Sequence, residues 1–343
     1  MQEKVYEIPD IPAEKLTLVH KTAADFHETQ EIYENTSYWR DVVNKLMRNK
    51  GAMVGIVLIA VIVLMSVFAP IFSAYEYDVG ILEHNYLPPK IPVVENLGIF
   101  NGYQDGVDVY EQRGIPDDVY YFFGTDSLGR DQWTRLWSGT RISLLIALLA
   151  VSIDLIIGMS YGLISGYFGK SVDFIMQRFV EILNGIPQIV LVTLFALVLK
   201  PGISSIILAL LISGWIPMSR VARAQMLKQK SQEYVLAART LGTKNGKIIF
   251  SEIVPNVLGQ VVTMSMFSIP SAIFTESYLS FIGLGVQAPM ASLGSLVSTG
   301  YKAFLSYPYL VIIPVTILAC LMISFNLFAD GLRDAVDPTM KEM

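Results

Sequence analysis

Residues 52–71 read AMVGIVLIAVIVLMSVFAPI, an uncharged run of the length a helix needs to cross the roughly 30 Å hydrocarbon core of a bilayer. The run lies too far into the chain, behind too many acidic residues, to be a cleaved signal peptide. Its surroundings agree with it. Of the 343 residues, 53% are hydrophobic and 16% are charged, against about 25% charged in soluble domains. A chain this long cannot cover a water-facing surface with so few charges, so the fold class is an all-α integral membrane protein.

Five further apolar stretches follow. They run from Ser143 to Ile164 (interrupted only by Asp154), from about Asp173 to Leu199 (carrying Arg178, Glu181 and Pro187), from Ile203 to Met218, from Val257 to Thr275, and from Pro308 to Ala329. Six transmembrane helices place both termini on one side. With that side cytoplasmic, most of the 25 Lys and Arg residues fall inside, as cytoplasmic loops require. Only Lys90, Arg113, Arg130, Arg135, Arg141, Lys200 and Lys302 are left outside, and three of these crowd the outer end of the second span.

Composition also excludes several functions. A net charge of -5 argues against nucleic acid as a partner. One cysteine, Cys320, rules out an internal disulfide framework and a cysteine-based zinc site; within the sixth span it serves as a small apolar filler. His20, His27 and His84 are scattered, without metal-ligand spacing. Neither Gly169-Lys170 nor Gly246-Lys247 belongs to a phosphate-binding loop, because Ile164 and Leu241 stand where its first glycine is needed.

Outside the spans, residues 1–37 form an acidic cytoplasmic tail. Trp39, Val42, Val43, Leu46 and Met47 then recur at helical spacing among Arg40, Lys45, Arg48 and Lys50, which predicts an interfacial amphipathic helix over 38–50. The first transmembrane helix covers 51–72. The segment 73–140, rich in Tyr, Pro and Gly, reads as an irregular extracytoplasmic excursion. Residues 141–330 hold the other five spans, with a cytoplasmic loop at 219–256, and 331–343 form a second cytoplasmic tail.

The loop at 219–256 carries the most information. Glu233, Ala237 and Leu241 fall at i, i+4 and i+8 on one helix face. Ala237 and Ala238 remove bulk beside it, Gly242 permits a sharp turn, and Pro255 suits the first turn of the fifth span. The pattern Glu233-x-x-x-Ala237-Ala238-Arg239-x-Leu241-Gly242 with Pro255 downstream resembles the EAA loop of binding-protein-dependent ABC importer permeases, although Glu252 stands where isoleucine is usual. Phe123-Gly124-Thr125-Asp126-Ser127-Leu128-Gly129-Arg130-Asp131 resembles the signature before the second span in the dipeptide/oligopeptide/nickel permease subfamily. Glu276 to Gln287 and Asp330 to Pro338 add to the likeness, which lies nearest the "C" membrane subunit of oligopeptide permeases and covers about residues 38–340.

The resemblance implies a type I ABC importer permease fold with no bound cofactor. It further implies a second homologous permease, two ATP-binding subunits that hold ATP and Mg, and an extracytoplasmic peptide-binding protein. Glu233, Ala237, Ala238, Arg239, Leu241, Gly242 and Pro255 would then couple the spans to the ATPase. Oligopeptides are the implied cargo; a nickel or dipeptide permease of the same subfamily is the alternative, and an ion-coupled secondary transporter a distant one.

Several residues have local readings. Gly158, Gly162 and Gly166 repeat every four residues, the spacing that lets helix backbones pack closely in lipid. Asn184-Gly185-Ile186-Pro187 predicts a kink in the third span. Arg178 and Glu181 suit an intrahelical pair. Glu276 ends the fifth span on its outer side, where solvation accounts for it. Gly124, Thr125, Asp126, Gly129, Arg130 and Asp131 offer capping and ion-pair partners that shape an outer vestibule.

Overall fold

The computed structural model describes residues 38–336; the tails 1–37 and 337–343, with Asp337 and Pro338 of the final motif, lie outside the described residues. Contacts divide the chain at Asp41 into a unit Met1–Asp41, described only from residue 38, and a unit Val42–Met343.

Helix α1, Tyr38–Arg48, follows the predicted amphipathic repeat. Val42 is buried with Leu46 against Leu332, Ala335 and Val336, whereas Val43 and Met47 face outward. Asn49 then starts a new helix: its Oδ1 accepts a hydrogen bond from the Ala52 amide at 3.1 Å, capping α2, Lys50–Phe72. Val57, Val61, Leu64 and Phe68 of α2 are exposed, as lipid contact allows and water does not.

The segment after α2 is a folded lobe rather than an irregular excursion. Leu87, Val109, Tyr110, Ile115 and Tyr121 form its core. A hairpin pairs β1, Tyr103–Gln104, with β2, Val107–Asp108; Asp105 and Gly106 both take positive φ, as a tight two-residue hairpin turn requires. Lys90 is buried, its ammonium 4.9 Å from the Tyr110 ring centroid and 5.1 Å from that of Tyr120, which compensates its desolvation. The Tyr309 hydroxyl donates to the Leu87 carbonyl at 2.9 Å, tying the lobe to the last helix.

The second predicted span is part of a longer helix, α3, Gln132–Phe168. Asp131 caps it by accepting from the Thr134 amide at 2.8 Å. The lobe therefore ends well before residue 140, because polar helix beyond the hydrocarbon leaves no hydropathy signal. The third span is broken: α4, Lys170–Asn184, and α5, Gln188–Leu199, meet at a 70° bend. Pro187 donates no N–H and disfavours helical backbone in Ile186.

Helix α6, Ile203–Gln229, carries the fourth span on past Met218. A short α7, Glu233–Thr240, follows, and α8 runs from Asn245 to Phe281. The stretch 219–256 is thus the end of α6, a two-turn helix and the start of α8. Helix α9, Leu293–Tyr301, and α10, Tyr309–Val336, complete the chain. Among the described residues, five helices (α2, α3, α6, α8 and α10) are long and apolar enough to cross a membrane, and the bent pair α4–α5 makes a sixth if taken as one span. The main core lies where α2, α3, α8 and α10 meet, around Ile62, Ile146, Ile273 and Leu321.

Candidate functional site

Three helices lose regular geometry where they face one another. In α3 the turns widen to i→i+5 bonding over Asp154–Met159, and in α6 over Leu210–Gly214. The α4–α5 break lies beside both. Irregular backbone at membrane depth persists only where it is buried in protein or lines a water-filled space, and wide turns of this kind recur at functional sites. Here all three segments line one cavity of about 470 Å³. Asp154 enters it from α3; Asn184, Pro187 and Gln188 from the break; Ser213, Gly214 and Pro217 from α6; Ser268, Ser271 and Thr275 from α8. The wide turn in α6 absorbs the donor that Pro217 lacks.

The cavity residues other than Asp154 and the break were not singled out from sequence. Their signal was present: Ser268, Ser271 and Thr275 stand at i, i+3 and i+7, a polar stripe on an otherwise apolar helix.

Below the cavity α3 and α6 are clamped together. A Cβ built on Gly158 would lie 2.7 Å from the Trp215 carbonyl oxygen, on Gly162 2.2 Å from that of Ser219, and on Gly166 2.8 Å from the Met226 Cβ. The glycine stripe therefore meets α6 of the same chain at backbone contact distance. Arg223 of α6 holds Asp173 of α4 in a bidentate pair, Nε to Oδ1 and Nη2 to Oδ2, both at 2.6 Å. Ser165 of α3 donates to the same carboxylate at 2.5 Å.

Helix α7 rests on this clamp. Val235 is fully buried and Ala238 half-buried against Leu163, Tyr167, Met226, Ile249 and Ile253. Glu233, Ala237, Arg239 and Leu241 point outward, Leu241 with 86% of its surface exposed. The two alanines thus divide: Ala237 lies on the outward face and Ala238 on the buried one. The Arg239 guanidinium lies 5.3 Å from the Tyr167 ring centroid. Gly242 ends the helix at φ +77°, with Thr243 N–H bonded to the Ala238 carbonyl and Gly242 N–H to that of Arg239, a closed left-handed cap. Pro255 stands in the first turn of the regular α-helical part of α8, Val254–Phe281, directly after a third wide-turned stretch, Ile248–Ile253, which accommodates its missing donor as in α6.

The motif at 124–131 is a buried loop at the outer end of α3. Thr125 Oγ1 accepts from the Leu87 amide at 2.8 Å. Asp126 accepts from the Leu128 and Arg130 amides and holds the Arg130 guanidinium at 2.7 Å. Gly124 and Gly129 have φ of +74° and +69°, and a Cβ on Gly129 would meet the Ile81 carbonyl oxygen at 1.8 Å. Burial pushes the Asp131 carboxyl up from the ordinary aspartate range, opposed by the bonds from Thr134. Burial also lowers the nearby His84 imidazole, which meets the Tyr121 hydroxyl at 2.8 Å.

Two acidic residues are placed otherwise or more firmly than sequence allows. Glu276 is not solvated but fully buried; it accepts from Ser143 and from Ser280, each at 2.7 Å. Glu181 pairs with Arg178 on the exposed side of α4. Among the described residues no three His, Cys, Asp or Glu side chains gather as metal ligands.

Comparison with known proteins identifies the architecture. Residues 158–342 match the family model of the binding-protein-dependent transport system inner membrane component. Residues 37–89 match the N-terminal TM domain of oligopeptide transport permease C. The chain is 40% identical over 321 residues to the oligopeptide transport system permease protein OppC of Bacillus subtilis (strain 168), covering 93% of this chain and 96% of that protein. It is also 40% identical over 338 residues to the dipeptide transport system permease protein DppC of Lactococcus lactis subsp. cremoris (strain MG1363), covering 95% and 97%. The inward-facing MetNI methionine ABC transporter shares the fold at a TM-score of 0.50 and 16% identity, over 60% of this chain and 97% of that one. On these matches, the chain belongs to the binding-protein-dependent transport system inner membrane component family, the permease subunits of ABC importers.

Proposed function

We propose that this permease forms half of the path of an ATP-driven peptide importer and passes movement to that path through α7. The observation that carries the coupling is the placement of α7: an outward face of Glu233, Ala237, Arg239 and Leu241 on a base packed directly on α3 and α6, the helices that line the cavity. A neighbouring chain that grips this face moves α3 and α6 as one body, because the glycine stripe holds their backbones together and the Asp173 carboxylate of α4 is bonded both by Arg223 of α6 and by Ser165 of α3. The wide turns and the α4–α5 bend above the clamp are the places where such movement changes the cavity.

Membership of the importer family and the outward face of α7 support the following partners. Two ATP-binding subunits, which hold ATP and Mg, grip the α7 helices of this chain and of a second homologous permease; the path lies between the permeases. ATP binding draws the two helices together and opens the path outward, and hydrolysis restores the inward-facing state. An extracytoplasmic binding protein delivers the cargo. The names of the relatives, oligopeptide and dipeptide permeases, support peptides as that cargo.

Counting α4–α5 as one broken span gives six, with both termini cytoplasmic in the plasma or inner membrane. The excess of Lys and Arg on the α7 side supports this orientation. The test is uptake of a radiolabelled peptide into vesicles carrying the complete complex. Uptake is expected to require ATP and the binding protein and to stop with vanadate; uptake that continues under vanadate contradicts the reading.

A further inference from the structure

Asp154 sits at the middle of the apolar stretch of α3, at the first residue of its wide turn. It is the one ionisable side chain among the residues lining the cavity, and 93% of its surface is buried, since 7% remains exposed. Ser268, which shares the cavity lining, donates its hydroxyl to the Met264 carbonyl at 3.3 Å, and among the described residues no Lys, Arg or His forms an ion pair with the Asp154 carboxyl. The other acids within the helical core are compensated: Asp173 by Arg223 and Glu276 by two serines. A carboxylate at membrane depth without a cationic partner is costly and faces a protein interior or an aqueous path. This one faces a cavity of about 470 Å³, a volume in the range that takes small organic ligands.

The rest of the lining sharpens the chemistry. Asn184, Gln188, Ser268, Ser271 and Thr275 supply neutral donors and acceptors, and no cationic side chain lines the space. The cavity therefore presents one negative charge within a ring of hydrogen-bonding groups. From this we infer that Asp154 is a recognition point for an ammonium group in transit. The ammonium supplies the missing counter-charge while the neutral groups bond the amides beside it. The inference rests on the peptide reading above, which furnishes an ammonium from the chain terminus or from a lysine side chain.

The test is equilibrium binding to the detergent-solubilised complex of permeases and ATPase subunits, without the binding protein, so that delivery does not select the ligand. Three radiolabelled peptides are compared: one with a free amino terminus and no lysine, its N-acetylated form, and an acetylated form carrying one lysine. The free-amine peptide is expected to bind at least about thirtyfold more tightly than the acetylated one, as loss of one partner of a desolvated charge pair requires. Asp154→Asn removes that difference and Asp154→Glu retains it. Recovery of affinity by the lysine peptide assigns the ammonium to either source; no recovery assigns it to the terminus. The inference is overturned if acetylation leaves wild-type affinity unchanged, or if Asp154→Asn preserves the difference or lowers all three affinities equally. It also fails if the wild-type complex binds no peptide while ATP-driven peptide uptake is intact, which leaves the peptide reading standing. Absence of uptake for every peptide overturns that reading as well.

Discussion

Gly162 shows how much one missing methyl group decides. Its built Cβ would lie 2.2 Å from the Ser219 carbonyl oxygen and 2.8 Å from the Ala222 Cβ, so even alanine must push α3 from α6. Gly162→Ala is expected to cost about 1–3 kcal/mol by overpacking and to lower the melting temperature of the purified complex. Gly246→Ala, with nothing within 4 Å of its built Cβ, leaves that temperature unchanged; equal behaviour of the two variants contradicts the packing account. The stripe was legible in sequence because spacing alone places 158, 162 and 166 on one face. Glu276 was not. Its partner Ser143 lies 133 residues away, and no local pattern distinguishes a carboxylate at a span end that is solvated from one that is folded in.

Elements were legible to the extent that lipid defines them. The six apolar stretches each coincide with a helix or, for the third, with the bent pair α4–α5, and Asn184 to Pro187 marks the break within that pair. Hydropathy fails beyond the hydrocarbon: residues 132–142 and 219–229 are helical but polar, so α3 and α6 were read short. The outer lobe was missed as a fold because its core joins Leu87 and Tyr121 from irregular segments with Tyr110 from a single helical turn, Val109–Gln112, too short to show a period. The wide turns escaped as well, since one extra residue in a turn barely disturbs an apolar face. The end of α7, by contrast, rests on one residue. Gly242 holds φ +77°, and a β-branched side chain there costs about 1–2 kcal/mol. Gly242→Val is expected to leave membrane insertion intact but to reduce peptide moved per ATP hydrolysed in reconstituted vesicles, with Gly242→Asn milder because asparagine tolerates this conformation. An unchanged ratio in the valine variant removes the reversal from the coupling account.

Across the whole molecule, the charge missing from the composition is missing from the spans and returns in the segments between and beside them. The exposed face of α7, the α3–α6 clamp and the cavity with its three irregular segments form a continuous series from one to the next. On the coupling proposed above, that continuity lets the chain serve as a lever as well as a wall. The most direct measurement uses Ala237, which lies outward and takes no part in the buried base of α7. Ala237→Trp keeps that base and blocks the docking face. ATP-driven peptide uptake by the reconstituted complex is expected to be abolished and co-purification of the ATP-binding subunits to be lost, with the permease still inserted; wild-type uptake with the ATPase bound in full would contradict the account.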